Sequence, residues 1–172
     1  MAILNRQKVR ELIEETLREA ETALSEGNVP IGSLIVGDNG AILASCHNEN
    51  YTRNDITAHA EMLCLRKMGN ATLDNDIQQN HYLFSSLEPC GGCGFFIAKT
   101  NIKRVYAAAL DPYRAGTSIL KKHFSEVFDD VDFMVCDFPD LADKSKSLMR
   151  KYFLKKDKFN IAKVYVSNDR SR

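Results

Sequence analysis

The sequence has no excess of charge of either sign, because it contains 23 Lys and Arg and 23 Asp and Glu. A protein with balanced charge has no general attraction to nucleic acid or to an anionic membrane. No run of 18 or more apolar residues occurs, so no membrane-spanning helix is predicted. The N-terminal segment is rich in charged residues and lacks the apolar centre of a signal peptide. We therefore expect a cytoplasmic protein that does not bind membranes.

The sequence also lacks internal repeats and linker segments, and its 172 residues suit one core. We therefore predict a single domain over residues 1–172. Apolar residues at helical spacing predict an N-terminal helix and further helices over Ala58–Gly69, Gly91–Lys99 and 141–158. We expect the tail, residues 159–172, either to be mobile or to cross to a partner subunit.

Five short apolar runs have the length and composition of strands. They are Ile31–Val36, Ala41–His47, His81–Leu87, Lys103–Leu110 and Val131–Cys136. Strands separated by helices need crossover connections, which cover both faces of a sheet. The sequence therefore predicts the α/β class, with a three-layer α/β/α sandwich built on a mixed five-stranded sheet.

Two of the five cysteines, Cys90 and Cys93, are three positions apart and directly follow Pro89. Such a close pair, in a chain without a predicted secretory signal, favours metal binding or catalysis over a disulfide. With His59 upstream, they supply two thiolates and one imidazole. Three ligands of this kind leave the fourth position of Zn²⁺ to water, as in catalytic zinc sites. We predict one Zn²⁺ per chain, held by His59, Cys90 and Cys93.

Two other interpretations of the cysteines compete with a catalytic zinc. A closed structural zinc needs a fourth Cys or His, but Cys64 faces away from His59 on an ideal helix. Cys46 and Cys136 lie on predicted strands. A redox Cys-x-x-Cys pair would leave the segment His-Ala-Glu unexplained.

Glu61 is predicted to be the catalytic acid and base. It lies two residues after His59, so both can border one cavity at the start of a helix. A carboxylate beside an activated water can accept a proton and later return it to a leaving group. The alternative is that Glu61 only stabilises the first turn of its helix.

The combined pattern His-x-Glu…Pro-Cys-x-x-Cys is the signature of zinc deaminases. From about residue 29 to residue 111 the sequence resembles the cytidine deaminase superfamily, in the branch of fungal-type cytosine, guanine and tRNA adenosine deaminases. The segments VPIGSLIV, HN, HAE, SLEPCGGC and RVYAAALDP carry this resemblance. It implies the α/β/α fold, a homodimer or a tetramer, of which we expect the homodimer, and hydrolytic release of ammonia. It also implies that Glu61 moves a proton from the attacking water to a ring nitrogen.

The resemblance also places three residues at the substrate. It implies that the Asn48 amide hydrogen-bonds a base or a ribose, although Asn also favours turns. The backbone carbonyl of Glu88 is expected to line the pocket, while its side chain is structural. Tyr113 has the spacing of an aromatic residue that covers the base in fungal-type cytosine deaminases. The alternative for Tyr113 is a surface turn residue.

The preferred substrate is a cytosine-like base or another small amino-substituted ring, and RNA is not favoured. Guanine is an alternative, because Gly91 and Gly92 would widen the pocket wall. tRNA adenosine is another, although Ile56 stands where tRNA-acting relatives usually have proline. A basic C-terminal stretch could track phosphates, or it could be a solvated face. It comprises Lys144, Lys146, Arg150, Lys151, Lys155, Lys156, Lys158 and Lys163. The non-enzyme alternative is an inactive zinc-stabilised scaffold, against which Glu61 argues.

Overall fold

The computed structural model describes residues 4–72, 80–113 and 116–166. Within them, five strands form one sheet: β1 Gly32–Gly37, β2 Ile42–His47, β3 His81–Ser85, β4 Ile102–Ala107 and β5 Asp132–Val135. The helices are α1 Arg6–Ser25, α2 Ala60–Met68, α3 Gly91–Ile97, α4 Thr117–His123, α5 Ser125–Phe128, α6 Pro139–Lys155 and α7 Phe159–Ala162. A 3₁₀ turn, Gly69–Thr72, follows α2.

The sheet is mixed, with the strand order β2-β1-β3-β4-β5. Strand β1 is antiparallel to both β2 and β3, whereas β3, β4 and β5 run parallel. Every residue of β1 and β3 is buried, because helices cover the sheet on both faces. The predicted α/β class, the mixed sheet and the five strands are therefore confirmed.

Side chains of alternate strand residues enter two separate cores, as the two-residue period of a strand requires. Leu34 and Phe84 pack with α1 and α6 on one face of the sheet. Ile35 and Leu83 pack with α2 and α3 on the other face. Cys93 belongs to this second core, so the predicted site lies at the edge of the α2–α3 layer.

The C-terminal tail packs on its own chain as far as residue 166. Ala162 and Tyr165 are buried, and Tyr165 joins Leu87 and Met149 in a small third core. That the tail, residues 159–172, is mobile or crosses to a partner subunit stays a prediction. Residues 167–172 lie outside the described part. None of the described helices is long and apolar enough to span a membrane.

Candidate zinc and catalytic site

The three predicted zinc ligands meet at the start of two helices. His59 is the residue before α2, and Cys90 is the residue before α3. His59 Nδ1 lies 3.5 Å from Cys90 Sγ and 3.3 Å from Cys93 Sγ. Tetrahedral ligands at usual Zn–N and Zn–S bond lengths are about 3.6 Å apart, so these spacings fit the ion. Among the described residues, no other His, Cys, Asp and Glu group is compact enough for a metal.

The electrostatics of the three groups also suit a cation. A hydrogen bond from Cys93, helped by His59, lowers the pKa of Cys90 to about 4. The same contact with Cys90 raises the pKa of Cys93. A hydrogen bond to Cys90 raises the pKa of His59 as well. The lowered pKa of Cys90 favours the thiolate, which is the form that binds a metal, and metal binding releases the protons of ligands that still carry them.

Glu61 lies beside this cluster, in the first turn of α2. Its side chain is buried, and Cys93 Sγ donates to its Oε2 over 3.6 Å. Ser85 Oγ, at the end of β3, donates to Oε1 over 3.4 Å. Burial raises the pKa of Glu61, because it penalises the charged carboxylate. The structure thus places a carboxyl group suited to proton transfer against the candidate ligands.

A cavity of about 180 Å³ opens beside His59, Glu61 and Cys90. Asn48 and Glu88 also lie on its wall, so the structure brings five of the seven predicted site residues to one cavity. Cys93 lies directly behind the wall, where it contacts His59 and Glu61. The remaining wall residues are Val29, Ile31, Asn50, Leu87, Asp111, Met149 and Tyr165.

Asn48 is buried where β2 leads into the loop before α2. Its backbone N–H donates to Ile31 O over 2.9 Å, which fixes the start of the loop beside β1. Its side-chain Oδ1 accepts the N–H of Asn50 over 3.1 Å, and its amide group donates to the Asn50 side chain. The amide is thereby oriented on the wall of the cavity.

Glu88 uses its side chain to hold the next loop. Its carboxylate accepts the backbone N–H groups of Asp111 at 3.0 Å and of Ser118 at 2.8 Å. A Cβ at Gly116 would lie 2.4 Å from the Glu88 carboxyl carbon, so only glycine fits there. These contacts support a structural role for the Glu88 side chain.

Tyr113 does not line the cavity but packs against Tyr165, which does. Its side chain is 50% exposed, and its ring packs edge-to-face on Tyr165 with centroids 6.1 Å apart. Tyr165, from the tail, occupies the wall instead and is buried. The sequence signal for Tyr165 was an aromatic residue flanked by two valines in a basic tail, and it was missed.

The glycines of the Cys-x-x-Cys segment have separate roles. A Cβ at Gly94 would lie 2.8 Å from Thr117 Oγ1, so this glycine allows α3 and α4 to approach each other. At Gly92 the nearest atom would be Cys90 Sγ, at 4.0 Å. Neither Gly91 nor Gly92 lies on the cavity wall, and the prediction that they widen it is wrong.

An outer groove of about 500 Å³ continues from the cavity and shares Val29, Asn50 and His59 with it. Its other wall residues belong to the loop before α2: Tyr51, Asn54, Asp55 and Ile56. The side chains of Tyr51 and Ile56 are 58% and 85% exposed. Lys156 Nζ, from the end of α6, lies 4.5 Å from the centre of the Tyr51 ring. The groove wall therefore includes an exposed aromatic ring that a cation contacts.

A mixed sheet with this cluster and a buried glutamate defines a zinc-dependent hydrolytic deaminase. The family model of the cytidine and deoxycytidylate deaminase zinc-binding region matches residues 6–109. The chain belongs to this family. The predicted superfamily, the hydrolytic class of enzyme and the zinc cofactor are therefore confirmed.

Several relatives are tRNA-specific adenosine deaminases. The chain is 35% identical over 104 residues to the tRNA-specific adenosine deaminase of Aquifex aeolicus, covering 60% of this chain and 68% of the relative. A structure from a study of A-to-I editing by tRNA:A34 deaminases is 28% identical, with a TM-score of 0.66. That match covers 81% of this chain and 99% of the other.

A guanine deaminase is also similar. The chain is 31% identical to the structure of guanine deaminase from Bacillus subtilis, with a TM-score of 0.53. The match covers 66% of this chain and 74% of the other chain.

Proposed function

We propose that this deaminase acts on adenosine in tRNA and converts it to inosine. The observation that carries the proposal is the open groove, which continues from the cavity at His59 along Tyr51 and Ile56. A free base needs only the inner cavity, whereas a base within RNA brings flanking nucleotides that require adjoining surface. The similarity to tRNA-specific adenosine deaminases also supports tRNA as the substrate. Adenosine in tRNA, an alternative in the sequence analysis, therefore replaces the cytosine-like base as our main proposal.

The groove has the chemistry of a single-stranded nucleic-acid site. Exposed aromatic rings stack on bases without regard to sequence, and nearby cations contact phosphates. Tyr51 supplies the ring, and Lys156 is positioned on it. The balanced net charge of the chain argued against RNA, but attraction depends on where the charges lie. Lys156 contacts the ring of Tyr51, which lines the groove. A hydrogen bond with Tyr152 lowers the pKa of Tyr51, and the positive charges of Lys156 and Lys158 act in the same direction.

In the inner cavity, we propose that His59, Cys90 and Cys93 hold the zinc. The zinc supplies an activated water when it is bound. With zinc bound, Glu61 would take a proton from the water and pass it to a ring nitrogen while the water oxygen bonds to the amino-bearing carbon. Glu61 would then carry the second proton of that oxygen to the amino group, so that the C–N bond breaks, ammonia leaves and the carbonyl of the product forms. Asn48 presents its amide to the base or to the ribose, which fixes the amino-bearing carbon near the water.

The test is to measure inosine formation in a tRNA anticodon hairpin and ammonia release from adenine, guanine and cytosine. We expect turnover of the hairpin that falls steeply with salt, because each neutralised phosphate releases a counterion. Tyr51→Ala is expected to lower hairpin affinity by about 1–3 kcal/mol, the value of one stacked base. Met134→Ala removes an exposed apolar side chain on β5, which does not line the groove, and as the control it should leave affinity unchanged.

Free guanine is the second candidate substrate, because the tail closes one side of the cavity. Tyr165 and Met149 lie on the wall, and the inner cavity is small enough for a single base. The similarity to guanine deaminase from Bacillus subtilis supports it. Salt-insensitive release of ammonia from guanine, with no reaction of the hairpin, would replace the tRNA proposal with this one.

We also propose that the chain forms a homodimer through α3. Phe95 and Phe96 are exposed on this helix, and Phe95 packs against Phe124 with ring centroids 5.7 Å apart. An exposed cluster of aromatic side chains is typical of protein interfaces. Light scattering of the purified protein should give twice the mass of the chain, and Phe96→Glu should give the mass of one chain.

A further inference from the structure

A histidine outside the candidate zinc site lies between carboxylates. His47 ends β2, and its side chain is only 17% exposed. Its Nδ1 lies 2.9 Å from Glu19 Oε2, and its Nε2 lies 3.1 Å from Glu26 Oε2. Glu49 Oε1 lies 3.9 Å from Nε2. Both ring nitrogens therefore face an acceptor.

This geometry favours the imidazolium form of His47. A neutral imidazole carries one N–H, so one of its nitrogens would point a lone pair at a carboxylate oxygen. The imidazolium donates at both nitrogens and satisfies Glu19 and Glu26 together. Burial alone would lower the pKa of His47, but the hydrogen bonds to these two carboxylates outweigh it and raise the pKa.

The contacts of His47 continue to the loop that forms the cavity wall. Glu26 Oε2, which faces His47, also accepts from Asn28 Nδ2 over 3.4 Å. Asn28 is fully buried, and its Oδ1 accepts the backbone N–H groups of Tyr51 at 2.9 Å and Thr52 at 3.1 Å. The end of α1 is thus joined to the middle of this loop through side chains.

The same loop carries residues of both the cavity and the groove. Asn48 follows His47 directly, and Asn50 lies on the walls of both spaces. We propose that His47, as the imidazolium, is a positioning residue that holds the segment from Asn48 to Asp55 against α1 and thereby sets substrate affinity. The proposal rests on the deaminase activity and is independent of which base is the substrate.

Other charged groups surround His47 and do not change the sign of the effect. On the loop, Arg53 forms an ion pair with Glu49, which reduces the share of Glu49 in binding the imidazolium. On α2, Arg66 and Lys67 border the same surface cavity as His47, and so does the Cys46 thiol. Lys67 Nζ is held by the backbone oxygen of Ser45 at 2.6 Å. Glu19 and Glu26 remain the direct partners of the ring.

The direction of the pH effect follows from the raised pKa of His47. The contribution of the imidazolium is complete below the unfolded value of about 6.5. It is lost as the pH rises through the higher folded pKa. Above that pH, one hydrogen bond to Glu19 or Glu26 is lost and the loop is held less firmly.

The experiment compares KM and kcat across this pH range for the wild type and for His47→Gln, using whichever substrate the wild type deaminates. Glutamine keeps a neutral donor, so it imitates the deprotonated ring. We expect the wild-type KM to rise by about fivefold through the His47 pKa, a value typical of coupling between sites. His47→Gln should show the higher KM at every pH, with kcat nearly unchanged. His123→Gln, an exposed histidine on α4, should behave as the wild type.

Two measurements test the proposal without an activity assay. NMR titration of the wild type should give a His47 pKa above 6.5, and Glu26→Gln should lower it. The protection factors of the Tyr51 and Thr52 amides, which compare exchange with that of an unstructured peptide at the same pH, should fall as His47 deprotonates. Zinc content and the far-UV spectrum should stay constant. A His47 pKa at or below 6.5, or exchange and KM that do not follow its titration, would overturn the proposal.

Discussion

The hydroxyl of Tyr165 donates a hydrogen bond to Asp111 Oδ1 over 3.2 Å and joins the C-terminal tail to the cavity wall. Asp111 belongs to the loop that the Glu88 carboxylate holds next to Cys90. The Tyr165 ring stacks on Phe153 of α6, with centroids 5.6 Å apart and planes 21° from parallel. The last helices and the candidate ligand loop therefore stabilise each other, although they are far apart in sequence.

Truncating Tyr165 is predicted to destabilise the protein and to open the cavity. Tyr165→Ala should cost about 3–5 kcal/mol, as for other buried aromatic residues, and should raise KM. Tyr165→Phe keeps the ring and should cost only about 1 kcal/mol, the value of one hydrogen bond. Denaturant unfolding and steady-state kinetics measure both effects. Unchanged stability and KM in Tyr165→Ala would show that the tail does not close the cavity.

Glu61→Gln is predicted to keep the fold and the zinc but to lose turnover. The amide has the same shape and cannot carry the proton, so kcat should fall by at least about 10²–10⁴-fold. Zinc analysis and thermal unfolding verify that the variant is intact. Glu126→Gln, an exposed acid on α5, is the control. A near-normal rate in Glu61→Gln would contradict a catalytic role and would show that Glu61 only stabilises the first turn of its helix.

Cys90→Ala is predicted to lose zinc and to lower stability. Wild-type protein should contain one zinc per chain, because the three donors fit one ion and leave a position for water. An ion that binds only the folded state stabilises it, so the variant should melt at a lower temperature. Cys136→Ala, whose thiol lies away from the cluster, should keep its zinc. Zinc retained in full by Cys90→Ala would place the ion elsewhere.

Alanine at two glycines of α3 is predicted to have opposite effects. Gly94→Ala would place a Cβ 2.8 Å from Thr117 Oγ1, which is buried and donates to Pro89 O. Overpacking of this kind costs about 1–3 kcal/mol. Gly92→Ala meets no atom closer than 4.0 Å and should stabilise the helix by about 1 kcal/mol. Unfolding free energies of the two variants should therefore differ in sign, and equal values would contradict the close approach of α4.

Local patterns in the sequence determined most of the layers and the chemistry of the site. Short apolar runs around Leu34 and Phe84 predicted strands, the helices between the runs predicted a sheet covered on both faces, and the structure has both. The candidate ligands and Glu61 were also identified from sequence. His59 and Glu61 are two residues apart, and Cys90 and Cys93 are three apart, so short spacings along the chain define both pairs. Helices α4 and α5 were not predicted, because they are short and have little apolar periodicity of their own.

Only the tertiary structure decided which distant residues complete the cavity. Tyr165 rather than Tyr113 lies on its wall, because the tail returns across α6 and packs into the third core. The need for glycine at position 94 becomes clear only from the close approach of Thr117. The role proposed for His47 depends on its contacts with the carboxylates of Glu19 and Glu26, which the sequence did not indicate. Spacing along the chain predicts contacts within one element. Contacts between elements depend on how their faces pack, and no local pattern contains that information.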